Sequence, residues 1–193
     1  MTNNFLVNRE TKETKSKIRI DFNDNLNFIN INTGIPFFDH LLSQIPFHGC
    51  FSCEIICKGD IDVDTHHSIE DIGIVFGKIL KKIFKEKKKK RFFFSCVPMD
   101  ESLTRMTMDI CDRPSFVFNV KKTKEKIKGV SLSNIKEFFK SVCYNSKICL
   151  HVDNYGEDFH HRIESMFKCF GVLLKKTFSI KRNKIYKLST KDL

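Results

Sequence analysis

His66-His67-Ser68-Ile69-Glu70 and His160-His161-Arg162-Ile163-Glu164 are two copies of one His-His-x-x-Glu pattern, with equivalent positions 94 residues apart (160 − 66). Imidazole and carboxylate are the side chains that ligate first-row transition metals. Chance would place two such patterns in a chain of this composition on the order of once in ten thousand. On a helix, residues four apart share a face, so His66 and Glu70 can grip one cation. His67 is turned about a hundred degrees away and must reach for something else. The same holds for His160 with Glu164, and for His161. Two such helices facing each other would frame two sites, each with the His/Glu pair of one motif and the central His of the other. Each site is then one ligand short. His40 and His151 stand in corresponding parts of the two halves, and adding one to each site gives three imidazoles and one carboxylate per metal. That set suits Mn, Fe or Zn, with Mn favoured if the geometry is octahedral and leaves positions for substrate.

The elements that must position these ligands are duplicated too. At the same shift Asp64 falls on Asp158, Phe76 on Phe170, Gly77 on Gly171, Leu80 on Leu174 and Phe84 on Phe178. Each copy reads as a helix: an Asp in front to cap free backbone N–H groups, apolar residues at helical spacing, and basic residues at the end. A shift of 88 lays Glu13 on Glu101, Asp21 on Asp109 and Asp24 on Asp112. These flank period-two stretches, Lys17 to Phe22 and Arg105 to Ile110, that read as strands. A shift of 101 lays Phe37-Phe38 on Phe138-Phe139, each expected to start a second helix. The expected organisation is two half-repeats, 1–90 and 91–180, of strand-helix-strand-helix type, packed into one α+β domain with a tail over 181–193.

Composition narrows the function classes. The chain carries 34 Lys plus Arg against 23 Asp plus Glu, a net charge of +11. The densest basic run, Lys85 to Arg91, lies between the half-repeats without interleaved aromatics and reads as a solvated connector more than a nucleic-acid patch. Basic charge also steers small anionic substrates. No stretch approaches the ~18 apolar residues of a membrane span, and Met1 to Glu10 lacks a signal-peptide core, so a soluble, cytoplasmic protein is expected. The eight Cys read as small buried hydrophobes in a reducing compartment, with Cys50, Cys53 and Cys57 on one strand. Cys50-x-x-Cys53 lacks the second pair of a zinc ribbon.

In order along the chain stand Arg9 to Thr14, Thr33-Gly34-Ile35-Pro36-Phe37-Phe38-Asp39-His40-Leu41-Leu42, Lys58-Gly59-Asp60, Asp64 to Asp71 and Pro98-Met99-Asp100-Glu101. Asp112-Arg113-Pro114, Leu150-His151-Val152, His160 to Glu164 and Ser189-Thr190-Lys191 follow. This set resembles the imidazoleglycerol-phosphate dehydratases of histidine biosynthesis. The resemblance implies a ribosomal-protein-S5-domain-2-like fold, each half a sheet with helices on one face. It implies conversion of imidazole glycerol phosphate to imidazole acetol phosphate and water with two Mn2+ per active site, through an imidazolate and a diazafulvene-like intermediate. It further implies metal ligation by His40, His66, His67, Glu70, His151, His160, His161 and Glu164, and proton transfer by Glu13 with Glu164 sharing the task. Substrate contacts are implied for Glu13, His40, Gln44 and His48, and phosphate contacts for Arg91, Arg113, Ser189, Thr190 and Lys191. Family members form trimers and then a cubic particle of twenty-four subunits with metal cages shared between subunits, so a homo-oligomer without nucleic-acid or membrane partners is expected. Four positions depart from the family pattern: Thr65, Phe93, Asp158 and Asp192. A carboxylate at Asp192 would weaken phosphate affinity if it faced inward. Two rival readings share the motifs or the charge: a metal-dependent hydrolase with the same cages, and an RNA-binding module using the basic face.

Overall fold

A computed structural model describes residues 3–22, 28–86 and 90–178. The first half runs β1 (Asn4–Glu10), β2 (Thr14–Asp21), β3 (Ile29–Asn32), α1 (Pro36–Gly49), β4 (Ser52–Gly59) and α2 (Thr65–Glu86). The second runs β5 (Phe92–Met99), β6 (Ser102–Asp109), β7 (Ser115–Val120), a small hairpin of β8 (Lys126–Ile127) and β9 (Val130–Ser131), α3 (Leu132–Ser146), β10 (Cys149–Tyr155) and α4 (Phe159–Phe178). The two sheets have matching orders, β1-β2-β4-β3 and β5-β6-β10-β7. In each, the last strand slots between the second and the third, antiparallel to one and parallel to the other. A parallel pair needs a crossover, and α1 and α3 supply it.

Alternation decides which sheet face is covered. Ile18 and Ile20 of β2 and Met106 and Met108 of β6 are buried, while the alternating Lys17 and Arg19 are half-buried and Arg105 and Thr107 are exposed. The helices therefore cover one face of each sheet. They also join the halves, because α2 packs on α3 and α1 on α4. Phe38, Phe76, Phe138, Phe139, Phe167 and Phe170 are fully buried in this middle layer. The Phe138 and Phe167 rings stack with centroids 5.3 Å apart.

The repeated glycine has a physical reason. A Cβ on Gly77 would meet the Val142 carbonyl oxygen at 2.6 Å, and one on Gly171 would meet that of Ile45 at 2.7 Å. Each is where a motif helix crosses its partner backbone to backbone, so the same residue recurs for the same contact. The Thr14 hydroxyl and Arg9 Nη1, the latter at 2.9 Å, hold the buried Asp71 carboxylate and tie β1 and β2 to α2.

Three expectations change. Each half has three strands of its main sheet before its first helix, and the second adds the β8–β9 hairpin, so the repeat is longer than strand-helix-strand-helix. Phe138-Phe139 lies mid-helix, because α3 starts at Leu132 behind a Ser131 capping box that Asn134 completes. Only Cys53, Cys57, Cys143 and Cys169 are buried; Cys50 and Cys96 are exposed, and Cys50 is the left-handed cap of α1 instead of a strand residue. All eight thiols are free. Among the described residues no helix is long and apolar enough to cross a membrane.

Candidate metal and active site

Asp64 Oδ1 accepts a hydrogen bond from the His66 N–H at 3.0 Å, and Asp158 Oδ1 accepts one from the His161 N–H at 2.9 Å. These caps fix the first turn of α2 and of α4, and with it the directions of the histidines. On α4, His160 Nε2 lies 2.7 Å from Glu164 Oε2, and His40 Nε2, brought in by the α1–α4 crossing, lies 3.0 Å from the same oxygen. His40, His160 and Glu164 form the one group of three ligand atoms within 4.8 Å of one another among the described residues. Burial alone would raise the Glu164 carboxyl, but hydrogen bonds from Lys168, His40 and His160 outweigh it and pull it down to about 2. Lys168 Nζ takes Oε1 at 2.8 Å, which leaves Oε2 to the imidazoles. Two imidazoles and a buried, ionised carboxylate on a rigid helix pair are a donor set that suits a divalent transition metal.

The first half does not repeat this group. His66 Nε2 and Glu70 Oε2 lie 3.4 Å apart, but at the shift of 101 the counterpart of His40 is Ser141, buried over Gly73. His66 and Glu70 thus lack a third ligand from α3. His151 does not supply it: on β10 the buried residues are Leu150, Val152 and Asn154, so the exposed His151 points to the sheet face away from the helices.

The central histidines turn to carboxylates of their own half. His67 Nδ1 lies 3.2 Å from Asp60 Oδ1 and 3.9 Å from Glu13 Oε2. His161 Nδ1 lies 2.9 Å from Glu101 Oε2. Hydrogen bonding to Asp60 raises the His67 proton affinity, and hydrogen bonding to Glu101 does the same for His161. The Glu101 carboxyl is pushed far below the usual carboxylate range by the His161 ring first, then by Ser102 and the Asp158 N–H. Glu13 sits on the exposed β1–β2 turn. On α1 the Gln44 amide donates to the His40 carbonyl at 3.4 Å, and burial lowers the His48 proton affinity, with nearby Lys168 adding to it.

The arginines are elsewhere. Arg91 precedes β5 and pairs bidentately with Asp109 at 2.5 and 2.8 Å. Glu101, beside His161, follows the other end of that eight-residue strand, about 26 Å away. Arg113 follows β6 at the Arg91 end. Ser189, Thr190, Lys191 and Asp192 lie outside the described residues.

Residues 33–174 match the family model described as imidazoleglycerol-phosphate dehydratase. The chain belongs to the imidazoleglycerol-phosphate dehydratase family. It is 41% identical over 180 residues to the Methanococcus maripaludis dehydratase, covering 93% of this chain and 94% of that one. It is 42% identical over 181 residues to the Clostridioides difficile protein, covering 93% and 94%. The crystal structure of the Staphylococcus aureus dehydratase matches with a TM-score of 0.78 at 36% identity, covering 89% of this chain and 96% of that one. That of the Pyrococcus furiosus dehydratase, solved in complex with (S)-C348, matches with 0.73 at 29%, covering 88% and 91%.

The chain is accordingly a hydro-lyase acting on imidazole glycerol phosphate in histidine biosynthesis, and the hydrolase and RNA-binding readings give way to it. The departures from the dehydratase pattern are structurally mild where they are described. Asp158 caps α4, Phe93 is a core residue, and the Thr65 hydroxyl reaches the Gly129 carbonyl at 3.5 Å. Sequence reasoning missed Asp60, Glu101 and Lys168 as contacts of site residues. Lys168 was visible four residues after Glu164, and Glu101 as the counterpart of Glu13.

Proposed function

We propose that this dehydration uses two Mn2+ ions per active site, and that each site is completed by a neighbouring copy of the chain. The observation that carries the reading is the convergence of His40, His160 and Glu164. These three would hold one ion, with His67 of another copy. His66 and Glu70 would hold the second, with His151 and His161 from other copies. Support for sharing comes from the chain itself: Ser141 stands where a third internal ligand would, His151 faces outward, and the arginines lie a strand's length from the His161 end of α4. The chemistry that bound Mn2+ supplies is Lewis-acid polarisation of the substrate imidazole.

Glu13 would take the carbon-bound proton, with Glu164 assisting. Its side chain is 58% exposed beside His67, and the Thr11 hydroxyl accepts from the Glu13 N–H at 3.2 Å to shape the turn. Gln44 and His48 would line the substrate pocket next to His40. Arg91 and Arg113, with Ser189, Thr190 and Lys191, would hold the phosphate; Arg91 would exchange Asp109 for it, keeping a fork-shaped donor on an anion. The reading extends to a cubic homo-oligomer of twenty-four subunits and a reducing, cytoplasmic setting, which the free thiols suit.

The test is a dehydration assay with added Mn2+ on the intact chain, Glu70→Gln and Glu164→Gln. Each substitution should lower turnover by about 100-fold or more. Equal activity in all three would remove both carboxylates from the chemistry.

A further inference from the structure

The duplication hands each half one glutamate at the same place, Glu13 in the β1–β2 turn and Glu101 in the β5–β6 turn. The fold treats them differently. Glu101 Oε1 accepts from the Ser102 hydroxyl at 2.7 Å, the Asp158 N–H at 3.0 Å and the Glu157 N–H at 3.2 Å, while Oε2 takes the His161 ring at 2.9 Å. Glu13 Oε2 stands back from His67 at 3.9 Å, and Asp60 takes that ring instead. Strand register explains the exchange. Ile18 pairs with Ile55 and Met106 with Val152, so β4 maps onto β10 by a shift of 97, which lays Asp60 on Glu157. In the first half the residue after the fourth strand anchors the histidine and leaves the turn glutamate free. In the second, the turn glutamate anchors it.

An ionised carboxylate only accepts hydrogen bonds, so the ring nitrogen facing it carries the proton. Asp100 Oδ2 stands 3.6 Å from His161 Nε2, beyond hydrogen-bond distance, so with Nδ1–H held by Glu101 or Asp60, Nε2 of His161 or His67 keeps its lone pair and a fixed direction. A carboxylate behind an imidazole in this way both fixes the tautomer and raises the basicity of the donor nitrogen.

We infer that Glu101 and Asp60 are the positioning residues of the two central histidines, each committing Nε2 of its ring to a metal, and that this leaves Glu13 alone of the duplicated pair free for proton transfer. The inference rests on the proposed two-metal reading.

The test is Mn2+ titration of the full-length, metal-stripped protein, read by calorimetry and by the electron paramagnetic resonance signal of free Mn2+, for the intact chain, Glu101→Gln, Asp60→Asn and Glu13→Gln. Glu101→Gln and Asp60→Asn should each weaken about half of the bound Mn2+ by roughly 10–100-fold. Glu13→Gln should bind Mn2+ as the intact chain does and lose turnover. Metal-free melting temperature, measured alongside, separates a folding defect from a ligand defect; if Glu101→Gln fails to fold, Asp60→Asn decides. Unchanged affinity in the folded Glu101→Gln and Asp60→Asn proteins overturns the inference and leaves the two-metal reading standing. An intact chain that binds no Mn2+ overturns both.

Discussion

Replacing Glu164 by Gln in the metal-free protein should flatten the acid limb of its stability curve. The carboxyl ionises at about 2 in the fold against 4.5 for an ordinary glutamate, because Lys168, His40 and His160 all donate to it. Each tenfold displacement of a proton equilibrium is worth about 1.4 kcal/mol. The ionised carboxylate therefore contributes about 3 kcal/mol, fully present above pH 4.5 and lost as the pH falls through 2. Between pH 6 and pH 3 about 2 kcal/mol of it should disappear, because protonation is complete in the unfolded chain and only partial in the fold. For a chain of this size that is a fall of about 4–8 °C in melting temperature. Gln keeps the shape and one acceptor but cannot ionise, so its curve lacks this component. The assay is thermal unfolding by circular dichroism at half-unit pH steps in chelator, with the intact chain and the variant side by side. Other carboxylates titrate in both proteins, so the difference between the curves reads Glu164 together with the imidazoles hydrogen-bonded to it. Parallel curves from pH 6 to pH 3 would refute the claim that the cluster holds this carboxylate ionised.

Other consequences can be measured in the same way. Gly77→Ala and Gly171→Ala should each cost about 1–3 kcal/mol in urea unfolding, since the added methyl meets backbone on the partner helix; neutral effects would mean the crossings have room. Asp71→Ala should cost about 2 kcal/mol by leaving Arg9 and Thr14 without their acceptor, read by the same unfolding. Ser131→Ala removes the α3 cap and should cost about 1 kcal/mol. Chelation should lower the oligomeric state seen by light scattering, and Mn2+ should restore it; an assembly indifferent to metal would count against shared cages.

Local chemistry was legible in the chain of letters. His66, Glu70, His160 and Glu164 mark candidate metal ligands because i, i+4 spacing fixes which side chains share a helix face whatever surrounds the helix. The capping Asp64 and Asp158 and the strands at Lys17 and Arg105 follow from equally short-range rules. Tertiary structure decided everything that depends on which elements cross. It placed His40 on Glu164 through the α1–α4 contact and buried Ser141, its counterpart on α3, over Gly73. It turned His151 outward and set Asp60 and Glu101 behind the central histidines. Distances between side chains far apart in sequence are fixed by helix crossings and strand register, and a one-residue change in a loop shifts these without leaving a mark on any local pattern.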